Sequence, residues 1–327
     1  MTFCALSSAK GMDIKMNIMC PVSSVKAAEL FAKMGAKEIY VGVSCEEFGM
    51  KLVTFTGRTN KLCTGENVQL SDFHELKKVV KICHDNNMLV NFTANVRNLS
   101  ENLKEEYLEY VDKAVRCGVD AIIVGSILGL ILLKDKYSIP LHASTFFYPF
   151  NKYNVDFFNE FGVKRIILPT ALSISEIEEI IKYIDEKGYD MTVEVFGHFG
   201  CSNINGRCNI FNDPPSICRG QYTVYDKNNQ IIAKNISLID AGKDCTICSI
   251  KELERIGVTS LKIMGRGLSL KLIGTLVKIY CEALKQTDKD SSYIREEVLN
   301  IASWWEQSYC NEQRCMYRRT DITKYYI

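Results

Sequence analysis

Eight short apolar runs, spaced along the chain by helical stretches or loops, constrain this sequence more than any other feature. They are Met16–Cys20, Glu38–Val43, Met88–Val96, Asp120–Val124, Pro140–Phe146, Lys164–Pro169, Met191–Phe196 and Ser260–Met264. Pro21 reads as the end of the first run. Helical patterns fill several intervals. In Val25–Met34, Ala27, Leu30, Phe31 and Met34 share one face, Ser23 and Ser24 offer N-caps, and Gly35 closes the helix. Further helices are expected over Ser71–Asn87, Ser100–Cys117, near Asn154–Phe161, and over Ser173–Lys187. Buried strands that alternate with helices call for parallel pairing and right-handed crossovers. A closed α/β (β/α)8 barrel of the TIM-barrel type is the simplest solution. An open doubly wound sheet is the alternative, disfavoured because no Gly-rich nucleotide fingerprint follows the first strand.

One interval breaks the rhythm. About sixty residues separate the seventh and eighth runs, and they carry a cysteine-rich insert and a hairpin over Gln221–Ile236 turning at Lys227–Asn229. In a barrel, such a connection emerges at the catalytic face. The expected organisation is a leader over 1–15, a barrel over 16–270 containing the cysteine-rich segment 197–248, and a helical C-terminal extension over 271–327. That extension ends in Trp304-Trp305 and the pair Cys310 and Cys315. It reads as an aromatic plug on the barrel or as a partner-binding edge.

The longest apolar run, Ile122–Leu133, is broken by Gly125, Ser126 and Gly129 and falls short of the ~20 residues a membrane helix needs. The start of the chain lacks the basic and apolar regions of a secretory signal. A soluble, cytoplasmic protein is expected, with no membrane partner. In that compartment 14 cysteines are not held for disulfides. Cys83, Cys117 and Cys281 fall on helical faces and read as small hydrophobes. Cys201, Cys208 and Cys218 sit instead among Asn, Gly, Arg, Asp and Pro. From Cys201 to Cys245 the spacings are six, nine and twenty-six residues, unlike zinc ribbons or bacterial ferredoxins. Spacing alone supports a metal site and leaves zinc and iron–sulfur open.

Glu194-Val-Phe-Gly-His-Phe-Gly-Cys201, Asn205-Gly-Arg-Cys208 and Cys218-Arg-Gly resemble the signature of the collagenase-like U-32 peptidases. Cys245-Thr-Ile-Cys248 and Gly257–Arg266 look like that family's second block, and Pro21–Val43 resembles its first barrel unit. The resemblance covers residues 16 to 270. It implies a 4Fe–4S cluster held by Cys201, Cys208, Cys218 and Cys245, with Cys248 as the alternative fourth ligand and Zn2+ as the alternative metal. It also implies oxygen-independent hydroxylation, since related proteins act on ubiquinone precursors, transfer RNA or ribosomal RNA with prephenate as the implied oxygen donor. A peptidase acting on peptides or collagen-like substrates is the second reading. A cluster-bearing partner subunit of a related barrel protein is the third. The sequence departs from the pattern in a compressed Cys208–Cys218 interval and in Met264 standing where many members have Glu.

Several side chains near the cysteines carry two readings. His198 is a proton donor or a loop histidine bonded to backbone. Glu194 is a general base or a buried paired carboxylate, and His142 shares that ambiguity. Arg207, Arg219, Lys262 and Arg266 suit carboxylates or phosphates, or they balance thiolate charge around a cluster. His198, Glu194 and Arg266 are the candidate catalytic residues. Arg207, Arg219, Lys262 and His142 are the candidate substrate ligands. The net charge of +1 favours a small metabolite or peptide substrate over a large RNA.

Overall fold

The computed structural model of the chain describes residues 16–44, 68–96, 99–198, 221–236, 245–308, 310 and 315–317. Within them eight parallel strands close into a barrel. In chain order these are β1 (Asn17–Val22), β2 (Glu38–Val41), β3 (Leu89–Ala94), β4 (Ala121–Val124), β5 (Leu141–Ala143), β6 (Val163–Ile167), β7 (Thr192–His198) and β10 (Ser260–Ile263). The seam closes where Asn17 to Met19 of β1 pair with Ser260 to Lys262 of β10. The barrel is the (β/α)8 architecture that the alternating pattern predicts.

Helices α1 (Val25–Lys33), α2 (Phe73–Asp85), α3 (Lys104–Cys117), α4 (Ile127–Leu133), α5 (Lys152–Glu160) and α6 (Ile174–Lys187) follow the first six strands. Local chemistry sets several of their ends. The Ser24 hydroxyl accepts from the Ala27 amide at α1, and Ser173 with Glu176 forms a capping box at α6. Gly118 and Gly188 close α3 and α6 in the left-handed conformation, which costs glycine no side-chain clash. The helices bury their apolar faces on the strands, and this outer layer holds most of the core.

Three local features differ from the sequence reading. β1 continues through Pro21 to Val22, because Pro21 lies beyond the last β1–β10 pair at Met19 and interrupts no ladder bond on that side. The sequence places no helix between the fourth and fifth strands, yet α4 stands there with Ser126 as N-cap. Its seven residues are all apolar or glycine, so no polar stripe marks a helical period. The short α7 (Ile250–Arg255) likewise escapes a periodicity window.

The insert contributes an antiparallel hairpin, β8 (Tyr222–Tyr225) and β9 (Ile231–Ile236), which turns at Asp226–Gln230 with Asn229 at φ 60°. After β10, α8 (Leu270–Lys285) packs on α1 and β1, so the eighth βα unit runs past the boundary expected at residue 270. Helices α9 (Ser291–Ile301) and α10 (Trp305–Ser308) follow. Residues 315–317 then return to the barrel, where the Met316 amide donates to the Cys245 carbonyl at 2.9 Å. No helix among the described residues is long and apolar enough to cross a membrane.

Candidate functional site

The barrel interior is polar at its centre. Strand alternation carries Glu38 and Tyr40 of β2, Asn91 and Thr93 of β3, Arg165 of β6 and Glu194 of β7 toward the lumen. Arg165 grips Glu38 with both ends of its fork, Nη1 to Oε2 at 2.5 Å and Nη2 to Oε1 at 3.2 Å. The same Nη1 reaches Glu194 Oε2 at 3.3 Å, and Lys262 Nζ donates to the other Glu194 oxygen at 3.0 Å. Asn91 Nδ2 donates to the Ile39 carbonyl at 3.0 Å and reaches Glu38 Oε2 at 3.4 Å. Two carboxylates and two cations thus form one continuous belt across four strands. Pairing is what permits these charges inside a barrel.

Electrostatics follow from this belt. Burial works against the Arg165 charge, but Glu38 and Glu194 outweigh it and raise its pKa. Burial also lowers the pKa of Lys262, against the pull of Glu194. His142 stands on β5 beside Arg165 in the register. Burial first, then Arg165 and Lys262, hold its pKa well below 6.5, so the imidazole is neutral. Its Nδ1 is buried and makes no hydrogen bond among the described residues.

Above the belt lies the C-terminal mouth. Tyr40 donates to the Ile263 carbonyl at 3.1 Å, and the Lys262 ammonium sits 4.2 Å from its ring centroid. Arg266 follows the turn at Gly265, where φ is +140°, a conformation suited to glycine. Its guanidinium carbon lies 5.2 Å from the Tyr40 ring, and Nη1 donates to Thr93 Oγ1 at 3.3 Å. Apolar side chains of Met19, Tyr40, Ile123, Ile167 and Phe196 pack together here, and Met316 from the returning C-terminal segment is buried among them. The barrel mouth is therefore capped by the chain's own tail.

The edge of the mouth at β7 carries the cysteine chemistry. The β10–β7 register slips between Lys262 and Ile263, so that Ile263 opposes His198 and skips Gly197. This extra residue turns the His198 ring away from the lumen and into the helix layer, 5.3 Å from Trp305 and 5.9 Å from Tyr280. The Gly197 carbonyl accepts from Thr246 Oγ1 at 2.7 Å and from the Tyr280 hydroxyl. A Cβ at Gly197 would lie 3.2 Å from Ile263 Cδ1, a tight fit against the neighbouring strand. Cys245 forms an antiparallel bridge with His198 and a parallel bridge with Cys315. Burial pushes the Cys245 thiol up to about 12, partly offset by hydrogen bonds from the Ile247 amide and the Trp305 side chain. The thiol is therefore protonated near neutral pH unless a metal displaces the proton.

Of the residues expected at the site, Glu194, Lys262 and His142 line the lumen, and Arg266 reaches across its mouth. His198 and Cys245 meet at the β7 edge, with His198 facing the aromatic helix layer. Cys248 is exposed on the short helical segment after Cys245. Cys201, Cys208, Cys218, Arg207 and Arg219 lie outside the described residues. Among the described residues, no group of three or more His, Cys, Asp or Glu is arranged to hold a metal ion. Cys245 is thus the described member of the expected ligand set, and its soft, buried sulfur suits iron–sulfur or zinc. Trp305 is buried against Tyr280, whereas Trp304 is exposed. Sequence reasoning passes over Arg165, Glu38, Tyr40 and Met316. A charged residue in the inward phase of an apolar strand, as in Lys164-Arg-Ile-Ile-Leu168, is the signal that could have found Arg165.

Residues 23–314 match the model of "Peptidase family U32". An "uncharacterized protease" of Methanocaldococcus jannaschii is 26% identical over 88% of this chain and 69% of its own length. A "tRNA hydroxylation protein P" of Helicobacter pylori is 26% identical over 81% of this chain and 64% of its own length. An octameric ribulose-1,5-bisphosphate carboxylase/oxygenase from Pyrococcus horikoshii superposes with a TM-score of 0.50 at 10% identity. That superposition covers 90% of this chain and 66% of the other, a likeness of barrel fold alone.

Proposed function

The chain belongs to peptidase family U32, and from that premise we propose that it carries out an iron–sulfur-dependent, oxygen-independent oxidation or hydroxylation of an organic substrate at the C-terminal mouth of the barrel. The observation that carries this reading is the bridge between Cys245 and His198. Cys201 follows His198 by three residues in the sequence. The bridge sets Cys245, the last of the expected ligands, against the strand whose sequence runs on toward Cys201, at the end of the barrel where catalytic loops gather. Cys201, Cys208, Cys218 and Cys245 would hold the cluster, whose chemistry when bound is electron transfer.

The chain's own residues then have distinct parts. Trp305 and Tyr280 pack around His198 and keep the β7 edge dry. The Glu38–Arg165–Glu194–Lys262 belt holds the lumen floor in one geometry. Neutral His142 offers a hydrogen bond without adding charge. The substrate is a small metabolite or a peptide, and membership alongside a tRNA hydroxylation protein adds transfer RNA as an alternative worth testing. The chain spans about two thirds of the length of these relatives.

Anaerobic incubation with peptide, metabolite and transfer RNA pools, supplied with prephenate as the oxygen donor that the family resemblance implies, and read by mass spectrometry, tests the reading. A product heavier by one oxygen atom is expected, and Cys245→Ser should abolish it. Peptide cleavage with no oxygen gain, unaffected by Cys245→Ser, would favour a peptidase instead.

A further inference from the structure

Two cysteines from distant parts of the chain stand in register at the edge of the barrel mouth. Cys245 of the insert and Cys315 of the returning tail occupy paired positions of a parallel bridge. The Met316 amide, donating to the Cys245 carbonyl at 2.9 Å, holds that pairing. Neighbouring strands lie about 4.8 Å apart, and paired positions of a parallel ladder send their side chains to the same face. A disulfide needs Cα atoms about 4.4–6.8 Å apart. Backbone pairing therefore sets these two thiols within bonding range of one another.

The register is anchored on both sides. Met316 is buried among Met19, Tyr40 and Phe196, so a slip of one position would turn it out of the mouth. Cys245 is tied in turn to β7 through its antiparallel bridge with His198, and the Trp305 side chain bonds its sulfur. Access to the two thiols differs. Cys245 is 6% exposed, whereas Cys315 is half-buried and open to a small reagent. Cys248 and Cys310 are the other described thiols at this edge. The Cys248 carbonyl accepts from the Ser291 hydroxyl and the Cys310 amide donates to the Trp305 carbonyl, and among the described residues neither is laddered to another cysteine.

We propose that Cys245 and Cys315 form a reversible disulfide that staples the returning C-terminal segment across the barrel mouth, with a low-molecular-weight disulfide such as glutathione disulfide as the oxidant. The accessible Cys315, as thiolate, attacks one sulfur of the oxidant, whose S–S bond breaks and releases one glutathione. Cys245, as thiolate, then attacks the Cys315 sulfur, forming the protein disulfide and releasing the second glutathione. The two protein sulfurs give up two electrons to the oxidant, and their two protons end on the two glutathione thiols. In a reducing compartment such a bond is transient and redox-sensing. The staple does not depend on the hydroxylation reading. Where Cys245 is a metal ligand, as that reading has it, metal and disulfide compete for one sulfur, because only the thiolate binds metal.

Peptide mapping of the full chain tests the proposal. The chain is stripped of metal by a chelator, equilibrated with glutathione disulfide, alkylated, digested and read by mass spectrometry. A peptide joining Cys245 to Cys315, lighter by two hydrogens than its reduced parts and reopened by dithiothreitol, is expected. Oxidation should also raise the urea midpoint, since the link closes the chain from residue 245 to residue 315 and restricts the unfolded state. Cys315→Ser should lose both the linked peptide and the rise, whereas Cys310→Ser should keep them. Chain purified with its metal should show the link only after chelation. Equal linkage with metal bound would uphold the staple and count against Cys245 as a ligand. Free Cys245 and Cys315 in the oxidised, stripped chain would overturn the staple and leave the ligand assignment standing. Cys245 joined to any other cysteine would overturn it as well.

Discussion

At the scale of single residues, the site is organised by which charges are paired and which are not. Glu194 engages a cation with each oxygen, a geometry that holds the lumen together. His142 is the titratable group whose state should be visible in stability. Its pKa in the fold lies well below 6.5, whereas the unfolded chain protonates near that value. Below pH 6.5 the unfolded state therefore binds more protons than the folded state, and stability must fall as pH falls. The expected slope is up to about 1.4 kcal/mol per pH unit. Urea midpoints between pH 5 and 7 should show it, and His142→Asn should flatten the difference. An unchanged slope in that variant would mean that His142 is protonated inside the fold. The belt itself was only half legible. Glu194 and Lys262 stand beside the cysteine signature and draw attention, but Arg165 and Glu38 lie far from it in sequence. Only the closed barrel brings them within 3.3 Å of their partners.

At the scale of elements, the strands and most helices are legible because alternating apolar runs and capped amphipathic stretches state their own period. Ser173 with Glu176 and Gly188 marks both ends of α6 in the sequence alone. The exceptions have physical causes. An all-apolar α4 carries no polar face, and the register slip at Gly197 is decided by the fit of two neighbouring strands. The returning segment at 315–317 is equally hidden, since Cys-Met-Tyr has no signal for docking at a barrel mouth. Its burial is nevertheless firm, with Met316 packed beside Tyr40 and Phe196 and its amide bonded to Cys245. Met316→Ala should cost about 2 kcal/mol, the lower range for a buried methionine truncated in a core. Chemical denaturation with an unchanged slope against denaturant would confirm it. A loss below the measurement error would mean that the segment does not cover the mouth in solution.

For the whole molecule, a closed barrel gathers residues from both ends of the sequence at one mouth. Tyr40 comes from the second strand, Arg266 from the turn after the last, Cys245 from the insert, and Met316 from the tail. This convergence explains why fold and family were readable from motifs while only part of the site was: motifs are local, and a barrel mouth is not. The relatives' hydroxylation names and the protease name lead to different chemistry on the same scaffold, and metal analysis distinguishes them. The most direct measurement is anaerobic purification with iron, sulfide and zinc analysis and an absorption spectrum, repeated on Cys201→Ser and Cys245→Ser. The account predicts about four irons and four sulfides per chain, a broad visible band bleached by dithionite, and loss of both in each variant. One zinc with no iron, or full iron in both variants, would contradict it.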